Sequence, residues 1–530
     1  MNSDEGMQKN HIRDLFFSDQ NKAAFEDALP DYLRAQRWFG GKARTISSAK
    51  LADALPIDAA DFEAYIAILR VEYADNTYQN YLLAVSVTDQ RNPQGSITTR
   101  DGLTLYDATF NPGFTLGLLS SIQSDSRYGG PSGEIVASHA PALKTLDLTS
   151  IGTLTPSIMG AEQSNTSIKY GDSLILKLFR RLEEGITPDL EIGRFLGEQH
   201  YANTPPLYGA LEYHIPSNPE PLTLAILQGF VPNEGDAWGF TLKAVANYFS
   251  RSVVPTLPPK THILDLAGAE MPDEVKATFG EYIKWACLLG RRTAEMHVAL
   301  VADPKNPAFA PEPYTPDYQR AVHTAMSALV ARAFNLLRAR APNLPVEVQD
   351  DAATLIARET DISSRFQPLL DHSIQATKTR VHGDYHLGQV LFTGKDFMII
   401  DFEGEPVRSL AERKLKHSPL KDVAGMLRSF HYAAYSGLSN HLKNSGTDSG
   451  SASTFEQMAD AWQLWVGAAY LREYLQTAGD APFLPQTRDD LRVVMDAYLL
   501  EKAVYELIYE LDNRPNWVAI PLKGILYLLH

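Results

Sequence analysis

The chain has 530 residues, about three to four times a typical domain length, so two or more packed units are expected. Apolar residues make up 44% and charged residues 21%, ordinary globular values that exclude wholesale disorder, a collagen and a coiled coil. The 48 lysines and arginines are outnumbered by 64 aspartates and glutamates, a formal net charge of −16, which argues against nucleic acid as a main partner, because neutralising phosphate backbones calls for the opposite balance. The single cysteine, Cys287, can form no internal disulfide and no cysteine zinc cage, which suits a reducing compartment. The polar, acidic start from Met1 to Gly6 carries no secretory signal, and no apolar stretch approaches the roughly 20 residues of a membrane span, so no membrane partner and a cytoplasmic location are expected.

In chain order, a short helix is expected around Pro30 to Phe39, with the proline in its first turn. Phe62 to Val71 and Tyr78 to Val87 read as a hairpin around Asp75-Asn76, and the Gly/Pro/Ser patch at Gly129 to Gly133 as a loop. Ser164 to Tyr170 and Ser173 to Phe179 flank Gly171-Asp172, a two-residue turn signal. Thr187 is placed to cap a helix with Pro188 at its first position, running to about Tyr201, and Leu222 to Phe230 returns as an apolar strand. After Pro232 long amphipathic helices follow at Gly280 to Ala302, Pro316 to Arg340, Asp460 to Leu475 and Arg488 to Leu511. One β island interrupts them between Val381 and Phe402, and Asn444 to Ser451 reads as a polar, mobile loop. No internal repeat is found. The division expected is residues 1–115, a β-rich N-terminal subdomain; 116–232, a mixed lobe; and 233–530, a helical lobe.

No G-x-x-x-x-G-K-[ST] loop, G-x-G-x-x-G turn, G-x-S-x-G elbow or H-E-x-x-H pair occurs, and Gly40-Gly41-Lys42-Ala43 fails the first in spacing and final residue. The informative stretch is instead His382 to Pro406. Val390 to Phe392 and Phe397 to Ile400 should pair as an antiparallel hairpin, bringing Gln389 and Asp401 together at one end. A carboxylate and an amide oxygen so placed suit a hard cation such as Mg²⁺. Asp384 precedes Gln389 by five positions, the offset between catalytic Asp and metal-binding Asn in the protein-kinase catalytic loop, so Asp384 could orient or deprotonate an attacking hydroxyl. Read singly, Asp384 and Asp401 are ordinary turn residues at strand ends; the constellation is what carries the chemistry. A rival reading makes His382, Asp384 and His386 ligands of a hydrolytic metal, but leaves Gln389 and Asp401 without a role.

Lys177 shares a strand face with Ile175 and Phe179, where an ammonium calls for an anionic partner. Glu191, one turn into the next helix, is the candidate, leaving Lys177 turned toward nucleotide phosphates; the bland alternative is a sheet-edge lysine with its amine in water. Gln163 to Ser167, with the hydroxyls of Ser164, Thr166 and Ser167, would be a loop over the phosphates.

At these residues the sequence resembles the bacterial maltokinases, sugar kinases with an α+β, bilobal, protein-kinase-like (aminoglycoside-phosphotransferase-like) fold and an N-terminal β-rich cap subdomain. The resemblance begins at Leu33 to Lys42 and continues through Glu162 to Ser167. It is strongest in His382 to Gln389 and Asp401 to Pro406, then runs through Ser418 to Ser429, Tyr505 to Glu510 and Asn513-Arg514-Pro515. It implies transfer of the ATP γ-phosphate to the anomeric hydroxyl of maltose, giving maltose 1-phosphate for α-glucan synthesis. Asp384 would match the family's catalytic Asp, Gln389 and Asp401 its Mg²⁺ ligands, Lys177 and Glu191 its nucleotide-anchoring pair, Gln228 to Val231 its adenine hinge, and Asp422 a brace of the catalytic loop. His386, Glu403, Arg408, Tyr505, Tyr509 and Glu510 would approach the acceptor sugar, with helix packing and surface ion pairing as the alternative. Members of that family are often fused to trehalose synthase; association with one as a separate partner, and monomer against homodimer, are left open. A glucosamine kinase or another hydroxyl kinase of the same superfamily is the runner-up, and a non-catalytic nucleotide or sugar sensor the reading from a different class.

Overall fold

In the computed structural model, residues 12–19, 21–59, 62–146, 155–160, 164–251, 261–445 and 449–529 are described. The chain divides into two compact units, residues 1–232 and 233–530.

The first α-helix of the first unit, α1, spans Lys22–Ala35, so Pro30 lies in its interior and the chain is already extended at Gln36. This corrects the expected start at Pro30. Phe25, Leu29, Tyr32 and Leu33 recur on one face and are buried, and that packing outweighs the backbone hydrogen bond a mid-helix proline forfeits. Five strands follow: β1 (Ile46–Ala59), β2 (Phe62–Tyr73), β3 (Tyr78–Thr88), β4 (Ser96–Arg100) and β5 (Leu103–Asp107). The expected β2–β3 hairpin pairs Glu72 with Tyr78, and Asn76 takes φ +61 in its turn. Strand β1, with Pro56 and alternating polar residues, gave a weaker signal and was not anticipated.

Helix α2 (Pro112–Gln123) leads into a second, seven-stranded sheet, built from β6 (Arg127–Gly129), β7 (Glu134–His139), β8 (Pro156–Ile158), β9 (Asn165–Tyr170), β10 (Leu174–Phe179), β12 (Leu207–His214) and β13 (Leu222–Gly229) in the order 6-7-12-13-10-9-8. The short β11 (Arg181–Leu182) instead pairs with β3 of the first sheet, whose remaining order is 1-2-3-5-4. Three residues, Gly171 to Ser173, separate the paired Tyr170 and Leu174, one more than the two-residue turn expected; Gly171 supplies the positive φ of +55. Strand β2 reads as a nearly continuous apolar run because both its faces are covered. Tyr65, Ala67, Leu69 and Val71 pack with Phe25, Leu29 and Leu33 of α1, while Ile66 and Ile68 join Leu118 and Ile122 of α2 and the apolar face of the second sheet. Helix α3 (Pro188–Glu198) is capped by the Thr187 side chain, as expected.

The second unit is mostly helical: α4 (Ala237–Phe249), α5 (Tyr282–Leu300), α6 (Pro316–Arg340), α7 (Leu420–Ser445), α8 (Ser449–Ala478), α9 (Arg488–Asn513) and α10 (Ala519–Leu528). Helix α8 starts eleven residues before the Asp460 expected, so Ser449 to Ser451 are helical backbone rather than loop; residues 446–448 lie outside the described set. The β island folds as the expected hairpin of β16 (Val390–Phe392) and β17 (Phe397–Ile399), with Val390 opposite Ile399. A further two-stranded pair joins β14 (Glu312–Pro313) and β15 (Thr377–Lys378). The hairpin rests on an aromatic floor: Phe240 stacks on Phe392 at 4.0 Å and Trp285 meets Phe392 edge-on at 5.0 Å. No helix among the described residues is long and apolar enough to cross a membrane.

Candidate active site

The loop between Val381 and Gln389 contains little regular structure, so its shape must come from what holds it. One face of α7 does this at i, i+3 and i+7. Asp422, in the first turn of α7, accepts from the backbone amides of His382 (2.7 Å) and Gly383 (2.9 Å). A Cβ at Gly425 would lie 2.6 Å from the carbonyl oxygen of Tyr385, so only glycine lets the helix approach so closely. The Ser429 hydroxyl accepts from the Leu387 amide at 3.1 Å. His297, in the last turn of α5, donates from Nε2 to Asp422 at 3.0 Å while its Nδ1 accepts from Tyr474. Burial would push the Asp422 carboxyl up, but His297 and the Gly383 amide outweigh it and hold the group ionised below its usual range. Asp422 thus holds two consecutive backbone amides of the loop.

His382 is 1% exposed; its Nε2 donates to the Ile400 carbonyl at 2.9 Å and its Nδ1 accepts from the Asp384 amide at 3.4 Å. With both ring nitrogens committed to backbone it cannot ligate a metal, and the rival hydrolytic-metal reading loses its first ligand. The ring instead wedges between Tyr385 and Phe402, at 5.2 and 4.9 Å.

At the hairpin end the Ile400 amide donates to the Gln389 carbonyl, and the Gln389 side-chain amide donates to Asp401 Oδ2 at 3.0 Å. Gln389 and Asp401 are therefore in contact, as the strand pairing predicts. Asp401 takes φ +66, a left-handed conformation that Asp tolerates better than most residues. Gly383 (φ +88) and Gly404 (φ +71) abut, a Cβ on the former falling 3.2 Å from the Cα of the latter, so the Asp384 and Asp401 loops lie side by side. His386 spans the same ground. Its Nδ1 accepts from the Gly388 amide at 3.0 Å, and its Nε2 lies 3.9 Å from Asp384. Burial pushes its pKa down, against the opposing pull of Asp384 and Asp401.

The sequence reading missed Lys502 of α9, whose Nζ lies 3.5 Å from Asp384 Oδ1, 3.8 Å from Glu405 and 4.9 Å from the centre of the Tyr505 ring. Its signal was present: a lysine among Leu499, Leu500, Ala503 and Val504 faces the question asked of Lys177, namely which anion meets it. Glu405, 4% exposed, accepts from Arg408; burial opposes its ionisation, but Lys421, Lys502 and Arg408 together bring its pKa to about 2. Tyr505 is pushed up to about 12 by burial and then by Glu405, with Asp384 adding to it, which places its hydroxyl in the same cluster.

The other expected acceptor contacts divide. Tyr509 is 43% exposed, with Arg514 over its ring at 5.1 Å. Glu510 is 1% exposed and its carboxylate is taken by Arg514 (2.7 Å) and Tyr432 (3.2 Å), so it belongs to helix packing, the alternative named for it. The Glu403 carbonyl accepts from Arg413 at 3.1 Å.

In the first unit, Lys177 donates to Asp189 at 3.1 Å, with side-chain exposures of 12% and 2%. Asp189 stands in the first turn of α3, two residues before the anticipated Glu191, and was not singled out. Thr166 and Ser167 are strand residues of β9, 7% and 1% exposed, and Arg180 donates to the Thr166 hydroxyl at 2.8 Å. This corrects the loop expected there: Asn165 pairs with Phe179, so the ladder already runs through it and only Ser164 remains an exposed bend, Gln163 lying outside the described residues. Gln228 is on β13, opposite Ile175, and Val231 follows the end of that strand.

Residues 32–110 match the maltokinase N-terminal cap domain, and residues 273–404 match the phosphotransferase enzyme family. A glucosamine kinase of Mycolicibacterium smegmatis is 26% identical over 373 residues, 69% of this chain and 78% of its own length. A second, from Streptacidiphilus jiangxiensis, is 24% identical over 378 residues, 69% and 72% respectively. A solved glucosamine kinase in complex with glucosamine, ADP and inorganic phosphate superposes with a TM-score of 0.62 at 18% identity, over 95% of this chain and 99% of that one. Crystal form A of glucosamine kinase gives 0.59 at 20% identity, over 91% and 92%. The chain therefore carries one stretch that matches the maltokinase N-terminal cap domain and another that matches the phosphotransferase enzyme family, in a mixed helix and sheet fold shared with solved glucosamine kinases.

Proposed function

We propose that this phosphotransferase is an ATP-dependent sugar kinase that phosphorylates maltose at its anomeric hydroxyl, releasing maltose 1-phosphate and ADP. The observation that carries the reading is the Asp384 loop, held by Asp422 beside the bonded pair Gln389 and Asp401. The match of residues 32–110 to the maltokinase cap favours maltose among sugars. In this reading residues 1–115 are the cap, 116–232 the nucleotide lobe and 233–530 the acceptor lobe.

Asp384 accepts a hydrogen bond from the acceptor hydroxyl, orients it for in-line attack and receives its proton as the new P–O bond forms. Lys177, itself held by Asp189, anchors the nucleotide phosphates. The oxygen donors of Gln389 and Asp401 fit Mg²⁺, which prefers oxygen ligands, and they would hold it. When bound, that ion neutralises charge on the transferring phosphates. Tyr505, and Tyr509 with its exposed ring, offer faces for a pyranose.

The test is one incubation of the purified chain with Mg·ATP and maltose, glucosamine or glucose, read by ADP release and product mass. Maltose 1-phosphate, formed far more slowly with Asp384→Asn, is the expected result; nucleotide binding without any phosphorylated sugar would leave a sensor. The names of the relatives favour a second reading, glucosamine as acceptor, and the same panel decides it.

A further inference from the structure

The side chains around Asp384 bear on which sugars can enter. If Asp384 receives the proton of the anomeric hydroxyl, that oxygen sits within hydrogen-bond reach of its carboxylate, and the substituent on the neighbouring carbon of the ring sits a few ångströms from whatever else faces Asp384. What faces it is the Lys502 ammonium, 3.5 Å from Oδ1. This is longer than the 2.7–3.2 Å of a well-formed N–H···O bond, so the carboxylate oxygen is approached rather than saturated and can still accept from a hydroxyl.

The anions within reach of Lys502 are already matched. Glu405 accepts from Arg408 and lies in the field of Lys421; Glu506 takes Arg428 at 2.9 and 2.7 Å; Asp384 has Lys502 itself. His386 is pushed toward its neutral form by burial, and Tyr505 keeps its proton. Burial works against the charge on Lys502, but the fields of Asp384, Glu405 and Glu506 prevail and keep it protonated. None of these carboxylates is left to balance a second ammonium.

We propose that Lys502 is a specificity-determining residue: its ammonium admits a hydroxyl on the carbon next to the reacting one and rejects the protonated amine of a 2-amino sugar. The inference rests on the kinase reading above and fixes the acceptor class as neutral sugars. Two like charges a few ångströms apart in a partly desolvated site lower binding of the charged competitor by roughly 10- to 100-fold.

Glucose and glucosamine differ only at that substituent, so the full chain with Mg·ATP is assayed with each, as acceptor and as competitive inhibitor of maltose phosphorylation. The pH series runs from below to above the pKa of the sugar amine. Glucosamine should be the poorer ligand at low pH, and the gap should close as its amine loses its proton. Lys502→Gln should narrow the low-pH gap about 10-fold and flatten the trend, and Lys502→Arg should keep both. Glucosamine matching or surpassing glucose at low pH, or an unchanged gap in Lys502→Gln, overturns the inference while leaving a kinase in place. If the Gln variant does not fold, the pH series of the unaltered chain decides alone. A chain that phosphorylates no sugar overturns the function and the inference together.

Discussion

Arg180 and Asp107 of the first unit are each 2% exposed and 2.8 Å apart, whereas Lys502 and Asp384 of the second are 17% and 22% exposed and 3.5 Å apart. Arg180 also donates to Thr166 and Thr109 and lies over Trp38 at 4.8 Å, so one guanidinium ties β9 and the end of β5 to the chain just after α1. Its partners are all short-range and all part of the packing. Around Lys502 the distances are longer and water still reaches the groups. Charge buried at short range serves the fold, because breaking it strands an ion away from water. Charge held loosely at a partly exposed loop is where a ligand can insert, and the perturbed Glu405 and Tyr505 beside it make this a site candidate on physical grounds.

The sharpest way to break this contrast is Asp384→Asn, which should lower turnover by roughly 10²- to 10⁴-fold while ATP binding and melting temperature change little. ADP release, nucleotide calorimetry and thermal unfolding measure the three quantities; a large loss of stability would mean the loop ion pair is structural after all. Arg180→Ala should do the converse, costing about 3–5 kcal/mol in urea unfolding by leaving Asp107 buried without its counter-ion. Asp422→Ala tests the ground between them, since this closed contact sits beneath the open one. The loss of a charged acceptor shared by two amides and His297 should cost about 1.5–3 kcal/mol and lower turnover as well, both read on the same variant.

The smallest effect expected is on acid stability. Glu405 has a folded pKa of about 2, below the roughly 4.3 of an unfolded glutamate, so its contribution is complete above the unfolded value and fades as pH falls toward 2. Glu405→Gln should therefore flatten the acid limb of a stability profile between those values and lose stability above it. An unchanged acid limb would show that the surrounding cations do not act on this group.

Much of this organisation is legible in the sequence. The 389–401 contact follows from strand pairing, which is local and periodic, and Thr187-Pro188 fixed the start of α3 through capping chemistry. What the sequence did not yield depends on long-range neighbours. Lys502 is 118 residues from Asp384, so its apolar neighbours on the helix flag it as a lysine in need of an anion but do not say which one. Thr166 and Ser167 fall within the expected strand Ser164 to Tyr170, and it is their burial in the ladder with β10, which local sequence does not show, that removes them from a loop over phosphates. Pro30 misled because a proline marks a helix start by local rules, while the apolar stripe extending upstream to Phe25 carried the helix through it.

The left-handed backbone at Asp401 has a practical consequence. Asparagine shares aspartate's tolerance for that geometry, whereas a β-branched or bulky replacement would twist the hairpin end while removing the charge. Asp401→Asn is thus the substitution that separates electrostatics from shape at this corner, and an alanine scan would confound the two.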